Sequence, residues 1–276
     1  MHMRNWLPAI GRHAVILLAV VAVLLPFLWI IAASFKTEIN ITMGRVLFTP
    51  TLANFNELLF SRGSRFLHNF GNSFVVALVS TVLCLVVGTL GAYSLHRLHG
   101  PGWIRHSLLG WSILYYMTPQ MTLVGSWYLL FRMLGLAEGY TALILTHTVI
   151  NLPMTLWLMS NFLRDVPPEL EEAARVDACG PVKVFTHVVL PLLRPGLLAT
   201  GALAFIFSWN EFPVSLALTG HNTATVPIAL ARFAQDFDMK YGAMAAAATL
   251  STAPALLLLL LATRYIVRGL TSGAVK

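Results

Sequence analysis

Asp165, Glu169, Glu171, Glu172 and Asp177 crowd one stretch of a 276-residue chain that holds only 11 Asp and Glu in total. Carboxylates at that density can do acid–base chemistry, hold a cation or meet a partner of opposite charge. The first two uses need companions that are missing. No H-E-x-x-H or G-x-S-x-G string occurs. The closest histidines, His96, His99 and His106, have no carboxylate at zinc-type spacing. There is no Gly-Lys dipeptide, hence no phosphate-cradling loop of the form G-x-x-x-x-G-K-[ST]. Cys84 lies in an apolar run and Cys179 in the charged stretch, which speaks against a disulfide. The expectation is therefore a chain with no catalytic site, no metal and no cofactor of its own. The charges are left to recognition or to solvation of an interfacial helix.

A second polar group is Trp209, Asn210 and Glu211, with Pro213 just after, inside an otherwise apolar run. A charged side chain near a bilayer centre costs about 2.5–3.5 kcal/mol on insertion scales. Two readings follow. Glu211 is either a paired, structural group near the outer interface, or Asn210 and Glu211 line a pathway or its gate, with Trp209 as a stacking surface.

The elements that must position these groups are membrane spans. The chain is 57% hydrophobic and 11% charged, with mean hydropathy +0.75; a soluble domain is about 25% charged. Six runs are long enough for a bilayer, which takes about 20 residues: 14–33, 74–95, 107–131, 140–163, 197–218 and 242–267. The first is longer than a signal-peptide core of about 7–15 residues and reads as a retained anchor. With both termini inside, the inner segments carry eleven of the 18 Lys and Arg, which sets that orientation and explains the net charge of +7 without nucleic acid. Pro26, Pro119, Pro153, Pro213 and Pro254 interrupt spans, either as ordinary kinks or as shapers of a pathway. Gly88, Gly91 and Ala92, and Ala243 with 245–248, offer flat faces for close helix packing.

The acidic stretch then falls in a cytoplasmic loop, 164–196. Asp165 is expected to cap a helix that starts at Pro167 and Pro168, with Glu169, Glu171 and Glu172 at its positive end. Glu171 and Arg175 stand four apart in the favourable order. Ala178, Cys179, Gly180 and Pro181 end the helix, with Gly180 as the left-handed residue. A second helix, 182–190, carries Val182, Phe185, Val188 and Val189 as an apolar stripe. A DNA-reading helix-turn-helix is excluded by the tether to the bilayer at both ends.

Glu172, Ala173 and Ala174, followed by Val188, Leu190 and Pro191 at fixed spacing, resemble the signature loop of permease subunits of binding-protein-dependent ABC importers. Ala178 stands where that family has glycine. The resemblance covers nearly the whole chain, through NSFVVALVSTV (72–82), AYSLHRL (92–98), LGL (134–136), SWNEF (208–212) and RYIVRGLTSGAVK (264–276). It is to the carbohydrate-type branch, and within it to the smaller maltose-type permease. The resemblance implies an all-α integral membrane protein, a single six-span domain over residues 1–276 in a bacterial inner membrane. It implies a second permease, two cytoplasmic ATPases that bind ATP and Mg, and a periplasmic binding protein for a sugar-like solute. It also implies that the loop is a coupling helix, with Glu172, Ala173, Ala174, Asp177, Ala178, Gly180, Leu190 and Pro191 at the ATPase. By the same resemblance Gly269, Thr271, Gly273 and Lys276 form a tail between the ATPases. The rival is a stand-alone secondary transporter, which predicts inverted repeats and buried coupling carboxylates. No repeat is clear, and Glu211 alone lies deep in a span.

Overall fold

A computed structural model describes residues 6–97, 101–233 and 240–271. The chain order is α1 (Trp6–Ser34), α2 (Glu38–Thr42), α3 (Ala53–Phe60), α4 (Phe66–Arg97), α5 (Gly102–Met117), α6 (Gln120–Met133) and α7 (Tyr140–Arg164). There follow α8 (Pro168–Val176), α9 (Pro181–Val184), a π-helical stretch (Phe185–Val189), α10 (Leu190–Leu192), α11 (Arg194–Trp209), α12 (Pro213–Leu218), α13 (Val226–Phe233) and α14 (Tyr241–Thr271). The protein is an all-α membrane protein.

Among the described residues, four helices are long and apolar enough to cross a bilayer unbroken: α1 from Gly11, α4, α7, and α14 as far as Thr263. They contain the expected spans at 14–33, 74–95 and 140–163, and most of that at 242–267. The other two expected spans are broken. Between α5 and α6, Thr118 turns extended (ψ 125°) ahead of Pro119, as residues before proline do. Between α11 and α12 the helix stops at Trp209 and restarts at Pro213. The segment Pro181–Leu192 meets α11 at 73°, and the two count as at most one bent span. Pro26, Pro153 and Pro254, by contrast, lie inside continuous helices.

The chain divides into two compact units. One comprises Met1–Leu67 with Ala229–Ala253. In it the Asn54 amide donates to the Ser34 and Lys36 carbonyls at 2.9 and 2.8 Å, tying α3 to the exit of α1. A Cβ on Gly242 would lie 2.5 Å from the Asn54 side chain, so only glycine lets α14 start there. Glu38 accepts from the Gly242 amide at 2.7 Å, placing a carboxylate at the positive end of α14. Ala243 and Ala245–Ala247 are buried, as their small size suggests.

The other unit comprises His68–Ile228 with the chain from Pro254. One apolar cluster joins Val76, Phe131, Ala142, Leu143, Ile150, Val214 and Leu218. A second joins Ala92, Met159, Leu163, Val166, Val189 and Leu193, and Phe162 packs against it. Glycine allows the helices to close on one another. A Cβ on Gly88 would lie 2.6 Å from Thr155, and one on Gly196 would lie 2.5 Å from the Phe162 ring.

Candidate functional site

The acidic elbow sits on the second apolar cluster. Its first helix, α8, starts two residues later than an Asp165 cap requires. Pro167 and Pro168 hold the chain extended before them, Pro167 takes the capping position without a side-chain bond, and Asp165 instead closes α7. Asp165 as an N-cap is thus corrected.

Among the acidic side chains of α8, Glu171 alone is buried, at 2% exposure. Arg97 of α4 reaches it with Nε at 2.6 Å, and the Tyr93 hydroxyl donates to it at 3.0 Å. The other arm of Arg97 donates to the Leu163 and Val166 carbonyls at 3.3 and 2.6 Å, where the chain leaves α7. Arg175, the partner expected from spacing, stands at 4.0 Å and is half exposed. One guanidinium therefore fastens the ends of α4 and α7 to α8. Tyr93 and Arg97 belong to the AYSLHRL string, but nothing local in the sequence pairs them with a residue more than 70 positions on.

With Glu171 turned inward, Glu172 and Ala173 are exposed on the outer face and Ala174 is half-buried. Leu170 and Val176 are exposed beside them, Val176 by 86%. Asp177 is exposed. The helix ends through Ala178, whose φ of 58° is left-handed. The Ala178 amide donates to Arg175 and the Cys179 amide to Ala174, both at 3.0 Å, which is the paired closure of a Schellman turn. Gly180 is not the left-handed residue: its φ is −67° and it precedes α9. The closure lies at 178 because the two bonds count back from there to α8, so the alanine carries the strain.

Beyond the turn the apolar stripe also differs from expectation. Val184 and Val189 are buried, whereas Val182 is 75% exposed. The helix widens over Phe185–Val189, where the Leu190 amide donates five residues back to Phe185 just before Pro191, which has no amide to donate. Leu190 and Pro191 are half-buried. Gly269 and Thr271 lie at the end of α14, and Gly273 and Lys276 lie outside the described residues.

The polar break between α11 and α12 forms a second cluster. Trp209 is buried, stacked on Phe205 with centroids 5.8 Å apart and edge-on to Phe70 at 5.1 Å. Asn210 is exposed, and its amide donates to the Ile206 carbonyl at 2.9 Å. Glu211 accepts from the Val214 and Ser215 amides, each at 2.8 Å, and from the Ser215 hydroxyl at 2.7 Å, so it caps α12. His147 of α7, 1% exposed, lies 2.7 Å from the Ser208 hydroxyl, 3.1 Å from that of Ser215 and 3.4 Å from Glu211. Ser208 continues to Ser80 of α4 at 3.1 Å. The sequence reading missed His147, a lone histidine in an apolar run. Its signal was that a buried polar ring needs partners.

Apolar helices long enough to cross a bilayer, spans interrupted ahead of Pro119 and Pro213 and glycine-mediated helix contacts make this a polytopic membrane protein. The family model for "Binding-protein-dependent transport system inner membrane component" matches residues 85–272, and the chain belongs to that family. It is 37% identical over 257 residues to the trehalose transport system permease protein SugB of Mycobacterium tuberculosis, covering 92% of each chain. It is 33% identical over 266 residues to the trehalose/maltose transport system permease protein MalG of Thermococcus litoralis, covering 95% of this chain and 94% of that one. Among solved structures, a bacterial ABC transporter involved in import of the acidic polysaccharide alginate has the same fold, with TM-score 0.80 at 18% identity over 96% of this chain and 98% of that one. The chain is thus a transport subunit of an ABC importer rather than an enzyme.

Proposed function

We propose that the chain passes a sugar or sugar-like solute from a periplasmic binding protein to the cytoplasm, as one of two permeases driven by two cytoplasmic ATPases that bind ATP and Mg. Residues 1–276 then form one transmembrane domain of six crossings with both termini cytoplasmic; α5 with α6, and α11 with the segments flanking it, supply the two broken crossings. The elbow is the coupling helix. The observation that carries this reading is the orientation of α8: Glu171 is turned inward onto Arg97, which leaves Glu172 and Ala173 outward for a partner. Small Ala173 admits a close approach, the flanking Leu170 and Val176 supply apolar contact, and Glu172 supplies charge. Asp177, Ala178, Gly180, Leu190 and Pro191 continue the surface, and Gly269, Thr271, Gly273 and Lys276 reach the ATPases as a tail. Asn210 and Glu211 stand at the gate of the pathway, with Trp209 packed behind them.

Names of relatives support the solute class, since those reported above handle trehalose, maltose or alginate. The test of docking is Glu172→Lys: the permease stays inserted, and the ATPase is lost on co-purification or its hydrolysis ceases to depend on binding protein. Normal transport with the ATPase retained removes Glu172 from the interface. Uptake measured with a panel of disaccharides, sulfonated sugars and polyols tests the solute class, and no uptake of any of them rejects it.

A further inference from the structure

Arg97 is built for more than neutralising one carboxylate. A buried ion pair is seldom the most stable way to fill its space; an apolar pair of similar volume often does as well or better. What an ion pair adds is a fixed orientation. A helix rotates its side chains by about 100° per residue, so a one-residue slip of α8 would turn Glu172 inward and Glu171 out. The two residues are chemically identical, and apolar burial alone would not choose between them. Arg97 chooses, because its planar fork meets Glu171 with one nitrogen while another is held by the Leu163 and Val166 carbonyls. Tyr93, one turn earlier on α4, closes the second carboxylate oxygen at 3.0 Å. The corner is nearly dry, with the Arg97 side chain 15% exposed and that of Glu171 2%.

We propose that Arg97, supported by Tyr93, is a positioning residue for ATP-driven transport. It sets the rotation of α8 and makes α8 move as one body with the ends of α4 and α7. This rests on the reading of α8 as the coupling helix. A push on the outer face of α8 then reaches two membrane-spanning helices through one guanidinium. Without it, α8 loses the one buried side chain that fixes its rotation, and the push is absorbed locally.

The test uses the assembled transporter in proteoliposomes with its binding protein. Arg97→Met alone leaves Glu171 buried and unpaired, and can fail through folding. The double variant Arg97→Met with Glu171→Met removes both charges and keeps the volume, so it is the decisive one. It is expected to insert, to retain the ATPase, and to transport at least tenfold less solute per ATP hydrolysed. Arg97→Lys, which keeps the charge and loses the fork, falls between wild type and the double variant. Spin labels at Glu169 and Leu90, with Cys84 and Cys179 replaced by serine, should show a single narrow distance that broadens in the double variant. Wild-type solute per ATP in the double variant, or an unbroadened distance, overturns the proposal. The docking reading is judged separately by Glu172→Lys: if that variant keeps its ATPase and its coupling, docking fails, and the label distances still report whether Arg97 orients α8.

Discussion

Ala178 is a residue in the wrong conformation for its side chain. A left-handed alanine costs about 1–2 kcal/mol, and the extra freedom that glycine brings to the unfolded chain returns less than that. Ala178→Gly is therefore expected to stabilise the protein by roughly 1 kcal/mol, raising the thermal midpoint in detergent and slowing hydrogen exchange at the Cys179 amide. A lower midpoint would show that the turn at 178 is not left-handed. Glu211 makes an opposite case. Its two oxygens serve two amides and a hydroxyl, and Gln offers one acceptor oxygen where there were two. Glu211→Gln should cost about 1–2 kcal/mol through the cap and the unpaired groups left near His147. The midpoint should fall while membrane insertion is kept. If the gate reading holds, solute transport falls as well; wild-type transport in a correctly inserted variant rejects it.

Between elements, Gly196 of α11 approaches Phe162 of α7 closely. An added methyl would sit 2.5 Å from the ring at its inner carbons, and the ring packs against the apolar cluster under the elbow. Gly196→Ala should cost about 1–3 kcal/mol by overpacking. Adding Phe162→Ala should return part of that loss, because the two changes share one space. Gly180→Ala is the control: nothing lies within 4 Å of its Cβ position and φ is −67°, so its midpoint should match wild type. Equal effects at 180 and 196 would show that helix contact is not what glycine provides at 196. The same packing logic separates the prolines. Where neighbouring contacts hold the helix, as at Pro153, the chain continues. Where a polar cap such as Glu211 takes over the freed amides, as at Pro213, it restarts.

For the molecule as a whole, the orientation read from Lys and Arg makes a direct prediction. Single cysteines at Thr51 or His221, with Cys84 and Cys179 replaced, should react with an impermeant thiol reagent applied from outside, and one at Glu169 should react only after permeabilisation. Labelling of Glu169 in intact cells inverts the topology and with it the docking reading. The family assignment would survive that result, since it rests on the match over residues 85–272 and on relatives covering 92% or more of the chain.

Composition and run length alone decided that the chain is a helical membrane protein, because a bilayer sets a length and an apolarity that few side chains meet by chance. Local spacing likewise decided that 164–196 would be a helix, a turn and a second helical segment, since proline, glycine and charge act over a few residues. It could not decide which acidic residue would face inward. Glu171 and Glu172 are adjacent and alike, and their difference comes from Arg97, brought to within 2.6 Å by the packing of α4 on α7. Nor could spacing place the left-handed residue at Ala178 over Gly180; the bonds from the Ala178 and Cys179 amides back to Arg175 and Ala174 put it there. His147 and Glu211, 64 positions apart, met for the same reason. Polar groups in an apolar interior must find one another, and which ones do so is a property of the folded arrangement.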